Sequence, residues 1–177
     1  MTKIFVSGSR SIHFLPTDAI TALNRIMEQE FTVMVGDCYG TDTAVQRYFK
    51  ARNYKNVIVC HIGPSPRNNV GFNTLPIEGH FQTDKDEYMG KTARYGLAIW
   101  DGQSRGTAQN IKRVKTKVIA APTDAAKCIV CASPSENGSV RLPMTFHPPS
   151  NPRIPVCIDC YRSGKLKTEV ELRGFSC

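Results

Sequence analysis

The stretch Lys3-Ile4-Phe5-Val6-Ser7-Gly8-Ser9-Arg10-Ser11 decides the fold. A short β-branched and aromatic run stops at a glycine followed by small and basic residues, which reads as a buried strand from Lys3 to Ser7 entering a loop. Working outward, Thr17-Asp18 opens a helical pattern in which Ile20, Leu23, Ile26 and Met27 recur at the helical period through Glu30. A second apolar run, Phe31 to Val35, stops at Gly36-Asp37, and Gly40-Thr41-Asp42 starts a helix whose Ala44, Val45, Tyr48 and Phe49 share a face. Val57 to Cys60 reads as the third strand. His61 to Gly79 is rich in Pro, Gly and Asn and reads as a long loop, of a length that in a compact domain carries function or no fixed structure. Residues 82 to 94 then form a charged helix, Leu97 to Trp100 a fourth strand, Thr107 to Lys115 a helix and Lys117 to Ala120 a fifth strand.

Strands alternating with helices predict an α/β fold: a Rossmann-like parallel sheet in the order 3-2-1-4-5 with helices on both faces. At 177 residues the chain holds one ordinary domain, 1–122, and a small appendage, 123–177, with Pro122-Thr123-Asp124 marking the linker. No run of about 18 apolar residues could cross a bilayer, and no long apolar segment follows Lys3 as in a signal peptide. The expectation is a cytoplasmic protein with no membrane partner.

Four of the seven cysteines form two Cys-x-x-Cys pairs, Cys128/Cys131 and Cys157/Cys160. In a cytosolic chain this pattern favours metal over disulfides, and two such knuckles close a four-cysteine, zinc-ribbon-like site with no position left for substrate. The expected cofactor is structural Zn2+, holding together a proline-rich segment with few large apolar side chains. His147 is a loop residue, Cys60 a core residue, and Cys38 either a small buried side chain or a reactive thiol in a ligand loop. The formal charge of +8 invites nucleic acid as a partner. Residues 127–177, however, hold seven Lys/Arg against four Asp/Glu, and four zinc-bound thiolates would cancel most of that excess. The cluster Lys112, Arg113, Lys115 and Lys117 also reads as a solvated helix face.

In an open parallel sheet ligands bind beyond the carboxyl ends of the strands, where the strand order reverses. In the expected order strands 1 and 4 flank that point. Three loops reach it: Gly8-Ser9-Arg10-Ser11, Gly36-Asp37-Cys38-Tyr39-Gly40-Thr41-Asp42, and Asp101-Gly102-Gln103-Ser104-Arg105-Gly106-Thr107. Glycine lets the backbone approach a ligand, and the helix opening at Thr107 offers free N–H groups to a phosphate. Ser9, Ser104 and Thr107 supply hydroxyls, and Arg10 and Arg105 can make forked contacts to phosphate or carboxylate. Each loop alone also has a plain reading as a turn or a helix cap.

The succession G-S-R, G-D-C-Y-G-T-D and W-D-G-Q-S-R-G-T resembles the SLOG superfamily of Rossmann-like proteins, which groups DprA/Smf-type domains with Lonely-Guy proteins, and looks closest to its YspA-like branch. The resemblance covers roughly residues 1–120. It implies a nucleotide or nucleotide-derived ligand, lined by Gly8, Ser9, Arg10, Gly36, Asp37, Gly40, Asp42, Gly102, Ser104, Arg105, Gly106 and Thr107, with Thr41 in the same loop. That branch carries an Arg-Asn or Arg-Asp pair followed by Met ahead of the fourth strand. Here the stretch is Lys85-Asp86-Glu87-Tyr88-Met89, and Lys for Arg weakens a bidentate phosphate contact. Relatives commonly self-associate, so a homo-oligomer is expected.

Lonely-Guy enzymes hydrolyse the N-glycosidic bond of nucleoside monophosphates with carboxylates on the helix after their glycine-rich loop. This chain has Ala108-Gln109-Asn110 there, and an amide cannot act as a base. The leading expectation is therefore binding or sensing of a nucleotide or NAD/ADP-ribose-derived ligand. The alternatives are a phosphoribohydrolase-like or nucleoside deoxyribosyltransferase-like enzyme, with Glu87 and Asp86 as its catalytic candidates, and a nucleic-acid binder that uses the zinc module.

Overall fold

Two-sided burial of short strands organises this molecule. The computed structural model describes residues 1–121 and two short antiparallel strands, β7 (Ser139–Arg141) and β8 (Arg153–Pro155). Cys128, Cys131, Cys157 and Cys160 lie outside the described residues. The elements of the N-terminal region are β1 (Lys3–Gly8), α1 (Thr17–Glu28), β2 (Thr32–Val35), α2 (Thr41–Ala51), β3 (Val57–His61), β4 (Asn73–Pro76), α3 (Gln82–Thr92), β5 (Tyr95–Trp100), α4 (Arg105–Arg113) and β6 (Thr116–Ala120).

The six strands make one parallel sheet, in the order β4-β3-β2-β1-β5-β6. The expected five-strand order is thereby corrected. The stretch read as a loop from His61 to Gly79 contains β4, which adds a strand beyond β3. Its sequence Asn-Thr-Leu-Pro lacks the apolar run of a buried strand because β4 is a largely exposed edge, where proline is tolerated.

Residues 62–72 connect the parallel pair β3 and β4 without a helix. They run as a strap along α2: Asn68 Nδ2 donates to Thr43 Oγ1, Val70 N–H to Gln46 Oε1 at 3.2 Å, and Phe72 packs on the core beside α2. Gln46 is fully buried and donates onward to the Gly36 carbonyl at 3.0 Å.

Alternation along the strands sorts the core into two layers. Ile4, Val6, Val33, Val35, Val57 and Val59 face α1 and α2, whose Leu23, Ile26, Val45, Tyr48 and Phe49 complete the larger cluster. Phe5, Met34 and Cys60 point to the other side and meet Met89 and Ala93 from α3 and its C-cap. That second layer holds few large side chains. The chain leaves β1 over one face and β5 over the other, so the connections after these paired strands part beyond Gly8 and Ile99 and leave a crevice.

Candidate functional site

The crevice is built from β1 and its loop, the start of α2, and the first turns of α3 and α4. Gly8, Arg10, Gly36, Asp42, Lys85, Asp86, Ser104, Gly106 and Thr107 line it, joined by Phe5, Ser7, Cys38, Gln82, Met89 and Asn110. A shallower extension is shared by Arg10, Ser11, Asp101, Ser104 and Gly106.

Local chemistry positions each wall. Helix α4 begins at Arg105, two residues before the expected start at Thr107, because Ser104 serves as the N-cap: its Oγ accepts from Thr107 N–H at 3.5 Å and its carbonyl takes Ala108 N–H at 3.0 Å. The first-turn N–H groups of Arg105 and Gly106 precede these bonds, and Gly106 borders the crevice with open space where a side chain would stand. Asp101 shapes the preceding turn by accepting from Gln103 N–H at 2.9 Å, Ser104 N–H at 2.8 Å and Ser11 Oγ at 2.7 Å. Slight burial acts against its charge, yet these bonds hold the Asp101 carboxyl well below the usual range.

Several expected ligand residues serve instead as the frame behind the crevice. Ser9 is fully buried; its Oγ accepts Asp101 N–H at 3.1 Å and its carbonyl accepts the Thr41 hydroxyl at 2.9 Å. Gly40 sits at φ 85° directly against the Arg10 backbone, a place without room for any side chain. Gly102 belongs to the β5–α4 turn, and Arg105 is exposed and does not line the crevice. Asp37 lies fully buried beneath Arg67, which was not anticipated. Arg67 donates from its backbone and Nε to Oδ2, both at 3.0 Å, and from Nη2 to Oδ1 at 2.6 Å. Burial acts to raise the Asp37 carboxyl, but those bonds and the Arg67 charge hold it below its ordinary value. The same Nη2 reaches Gln82 Oε1 at 2.7 Å and Cys38 Sγ at 3.0 Å, tying strap, β2–α2 loop and α3 together at the crevice rim.

The crevice floor is a charged cluster. Lys85, 2% exposed, donates from Nζ to Asp86 Oδ1 at 2.9 Å, while Asn110 Nδ2 donates to Asp86 Oδ2 at 3.2 Å. Gly36 makes the approach possible: a Cβ there would stand 2.5 Å from Asp42 Oδ2 and 3.2 Å from Lys85 Nζ. Burial pushes the Asp42 carboxyl up to about 7, against the opposing pull of Lys85 and of Cys38 N–H, which donates to Oδ2 at 3.1 Å. Lys85 is raised as well: burial works against its charge, but the carboxylates of Asp86 and Asp42 prevail. Burial and the nearby Asp42 carboxylate push the Cys38 thiol up, which keeps it protonated and poorly nucleophilic.

Of the two expected catalytic carboxylates, Asp86 is brought to the crevice and Glu87 is not. Glu87, half exposed, faces Lys91 at 3.6 Å and Arg113 at 3.5 Å. Gln82 and Arg67 carry no signal in the sequence, and Asn110 reads there only as an amide that cannot act as a base. Asn110 sits one turn beyond Gly106-Thr107, and its spacing is the signal that could have placed it at the floor. No family model, no curated protein and no solved structure matches the chain.

Proposed function

We propose that the chain binds a nucleotide or a nucleotide-derived ligand, of the NAD or ADP-ribose type, at the carboxyl edge of its sheet. The observation that carries this reading is the convergence of the open α4 N-terminus at Gly106, the Gly8 backbone and the Arg10 side chain on one crevice, at the carboxyl ends of the neighbouring strands β1 and β5. Free N–H groups at a helix start, open space at Gly106 that lets a ligand approach them, and a guanidinium suit a phosphate. Calorimetric titration with mononucleotides, NAD and ADP-ribose tests it. At least one is expected to bind in the micromolar range, with Arg10→Gln weakening it about tenfold, as befits one lost charge-assisted contact. Absence of any binding below the millimolar range would sink the reading.

A second reading, hydrolysis of a nucleotide N-glycosidic bond, is favoured by Asp42 and Asp86 on the crevice floor. A carboxyl raised to about 7 is suited to giving and taking a proton near neutrality. It predicts release of free base on incubation with nucleoside monophosphates, lost in Asp42→Asn and in Asp86→Asn. Cys128, Cys131, Cys157 and Cys160 are proposed to hold one structural Zn2+, on the spacing of the two Cys-x-x-Cys pairs.

A further inference from the structure

The floor and the rim of the crevice have opposite chemistry. At the α4 end the lining residues are Arg10, Ser104, Gly106 and Thr107. At the other end a single buried ammonium is shared between two carboxylates, and Nζ of Lys85 already donates to Asp86. A phosphate pushed against that floor would meet Asp42 and Asp86 with their one counter-charge already committed, so a second anionic group is unwelcome there. Uncharged hydroxyls suit it. A hydroxyl donates to a carboxylate oxygen and accepts from an ammonium, which is what the floor offers.

The hydrogen-bond inventory supports this. Asp86 receives one donor on each oxygen, Lys85 on Oδ1 and Asn110 on Oδ2, and a carboxylate oxygen has room for a second. Its side chain remains 19% exposed while that of Lys85 is 3% exposed, so the unused capacity is open to the crevice. Asp42 is engaged among the described residues only at Oδ2, by Cys38 N–H. Lys85 has three donors and spends one on Asp86. Phe5 and Met89 border the same floor and offer an apolar wall to the carbon face of a ring.

Resting on the phosphate reading above, we propose that Asp86 and Lys85 read the vicinal hydroxyls of the ligand's sugar, so that the crevice selects a ribose phosphate over its 2-deoxy counterpart, with the phosphate at the α4 end. The sugar lies between the two ends, with Asp86 accepting from the adjacent hydroxyls and Lys85 donating to one of them.

Calorimetry on the full chain with inorganic phosphate, adenosine 5′-monophosphate and 2′-deoxyadenosine 5′-monophosphate tests this. The ribonucleotide should bind about tenfold or more tightly than the deoxyribonucleotide, the scale of one hydrogen bond to a charged group. In Asp86→Asn the two affinities should converge, the ribonucleotide falling towards the other. The wild-type comparison needs no variant and decides the matter even if Asp86→Asn does not fold. Equal affinities for the two nucleotides, with inorganic phosphate also bound, would overturn the sugar reading and leave the phosphate reading standing. No binding of any of the three would overturn the sugar reading, and no binding of NAD or ADP-ribose either would overturn both.

Discussion

Replacing Arg67 by alanine strands a fully buried carboxylate. Asp37 has a side-chain exposure of 0%, and Arg67 gives it three hydrogen bonds, of which the alanine variant would keep only the backbone one. Breaking a buried ion pair from one side costs about 3–5 kcal/mol. The Arg67 side chain is 41% exposed, so water can follow the truncation and rehydrate Asp37, which brings the expected loss to about 2–3 kcal/mol. With a urea dependence of about 2 kcal/mol per molar, the unfolding midpoint falls by about 1–1.5 M. Trp100 is the one tryptophan of the chain, so its fluorescence follows unfolding of the N-terminal domain. The pH dependence is the sharper signature. In the wild type the Asp37 carboxyl sits below its unfolded value, so its contribution is present above about pH 4 and is lost as pH falls through the folded value. In Arg67→Ala burial dominates, the carboxyl rises, and stability is lost as pH climbs through the carboxylate range. The gap between variant and wild type should therefore widen from about pH 4 towards neutrality, with titrations common to both proteins cancelling. A loss under about 0.5 kcal/mol at neutral pH, less than a surface pair is worth, or a gap that does not change with pH, would refute this account of the rim.

Asp42 should titrate near 7 when followed by carboxyl carbon NMR, with Asp42→Asn identifying the resonance. Because its folded value lies above the unfolded one, its contribution to stability is full below about pH 4 and is lost as pH rises through 7, on the order of 4 kcal/mol in all; a midpoint in the ordinary carboxylate range would contradict the buried floor. Gly40→Ala forces a side chain into the Arg10 backbone at a positive φ and should lower stability by about 1–3 kcal/mol, whereas Gly106→Ala enters open space in a helix and should be neutral or stabilising by about 0.5–1 kcal/mol. Equal melting temperatures for these two variants would show that the loops are not packed as described. Elemental analysis of the purified chain should find one zinc per molecule, lost in Cys131→Ser, and a metal-free wild type from a zinc-replete preparation would dismiss the four-cysteine site.

The strands that carry the core were legible because burial on both faces leaves an apolar signature in the chain itself: Ile4-Phe5-Val6, Val33-Met34-Val35 and Leu97-Ala98-Ile99 each fill three consecutive positions with apolar side chains. The strand β4 left no such trace. Its pairing with β3 is made by backbone groups, and an edge strand with exposed Asn73, Thr74 and Pro76 asks nothing apolar of its sequence. The strap was hidden for a related reason. Arg67 and Asp37 are 30 residues apart and Val70 meets Gln46 across 24, separations at which no periodic pattern links one residue to the other. The glycine and hydroxyl loops meet at one crevice, but their sequence does not tell which of their members line it. Ser9 and Thr41 look in sequence like phosphate donors; their hydroxyls are spent holding Asp101 and the Ser9 carbonyl.

The unequal layers of the fold explain why a charged floor can exist beside a stable sheet. The face covered by α1 and α2 carries Leu23, Val45, Tyr48 and Phe49 against the alternate residues of β1, β2, β3, β5 and β6, and this large contiguous cluster supplies most of the apolar burial. The buried apolar cluster on the face covered by α3 and α4 is small, made of Phe5, Met34, Cys60, Met89 and Ala93. Helix α4 buries just Thr107 and Asn110, two polar residues, and Asn110 is spent on Asp86 and Arg113. Where the apolar layer thins, the helices cannot close on the sheet, and the gap at their N-terminal ends is filled by Lys85, Asp42 and Asp86. The apolar core and the charged crevice thus lie on opposite faces of the sheet. Cavity-forming substitutions in the α1/α2 layer should therefore destabilise the domain through lost apolar burial, whereas removing Lys85 should destabilise it by stranding the Asp42 and Asp86 carboxylates.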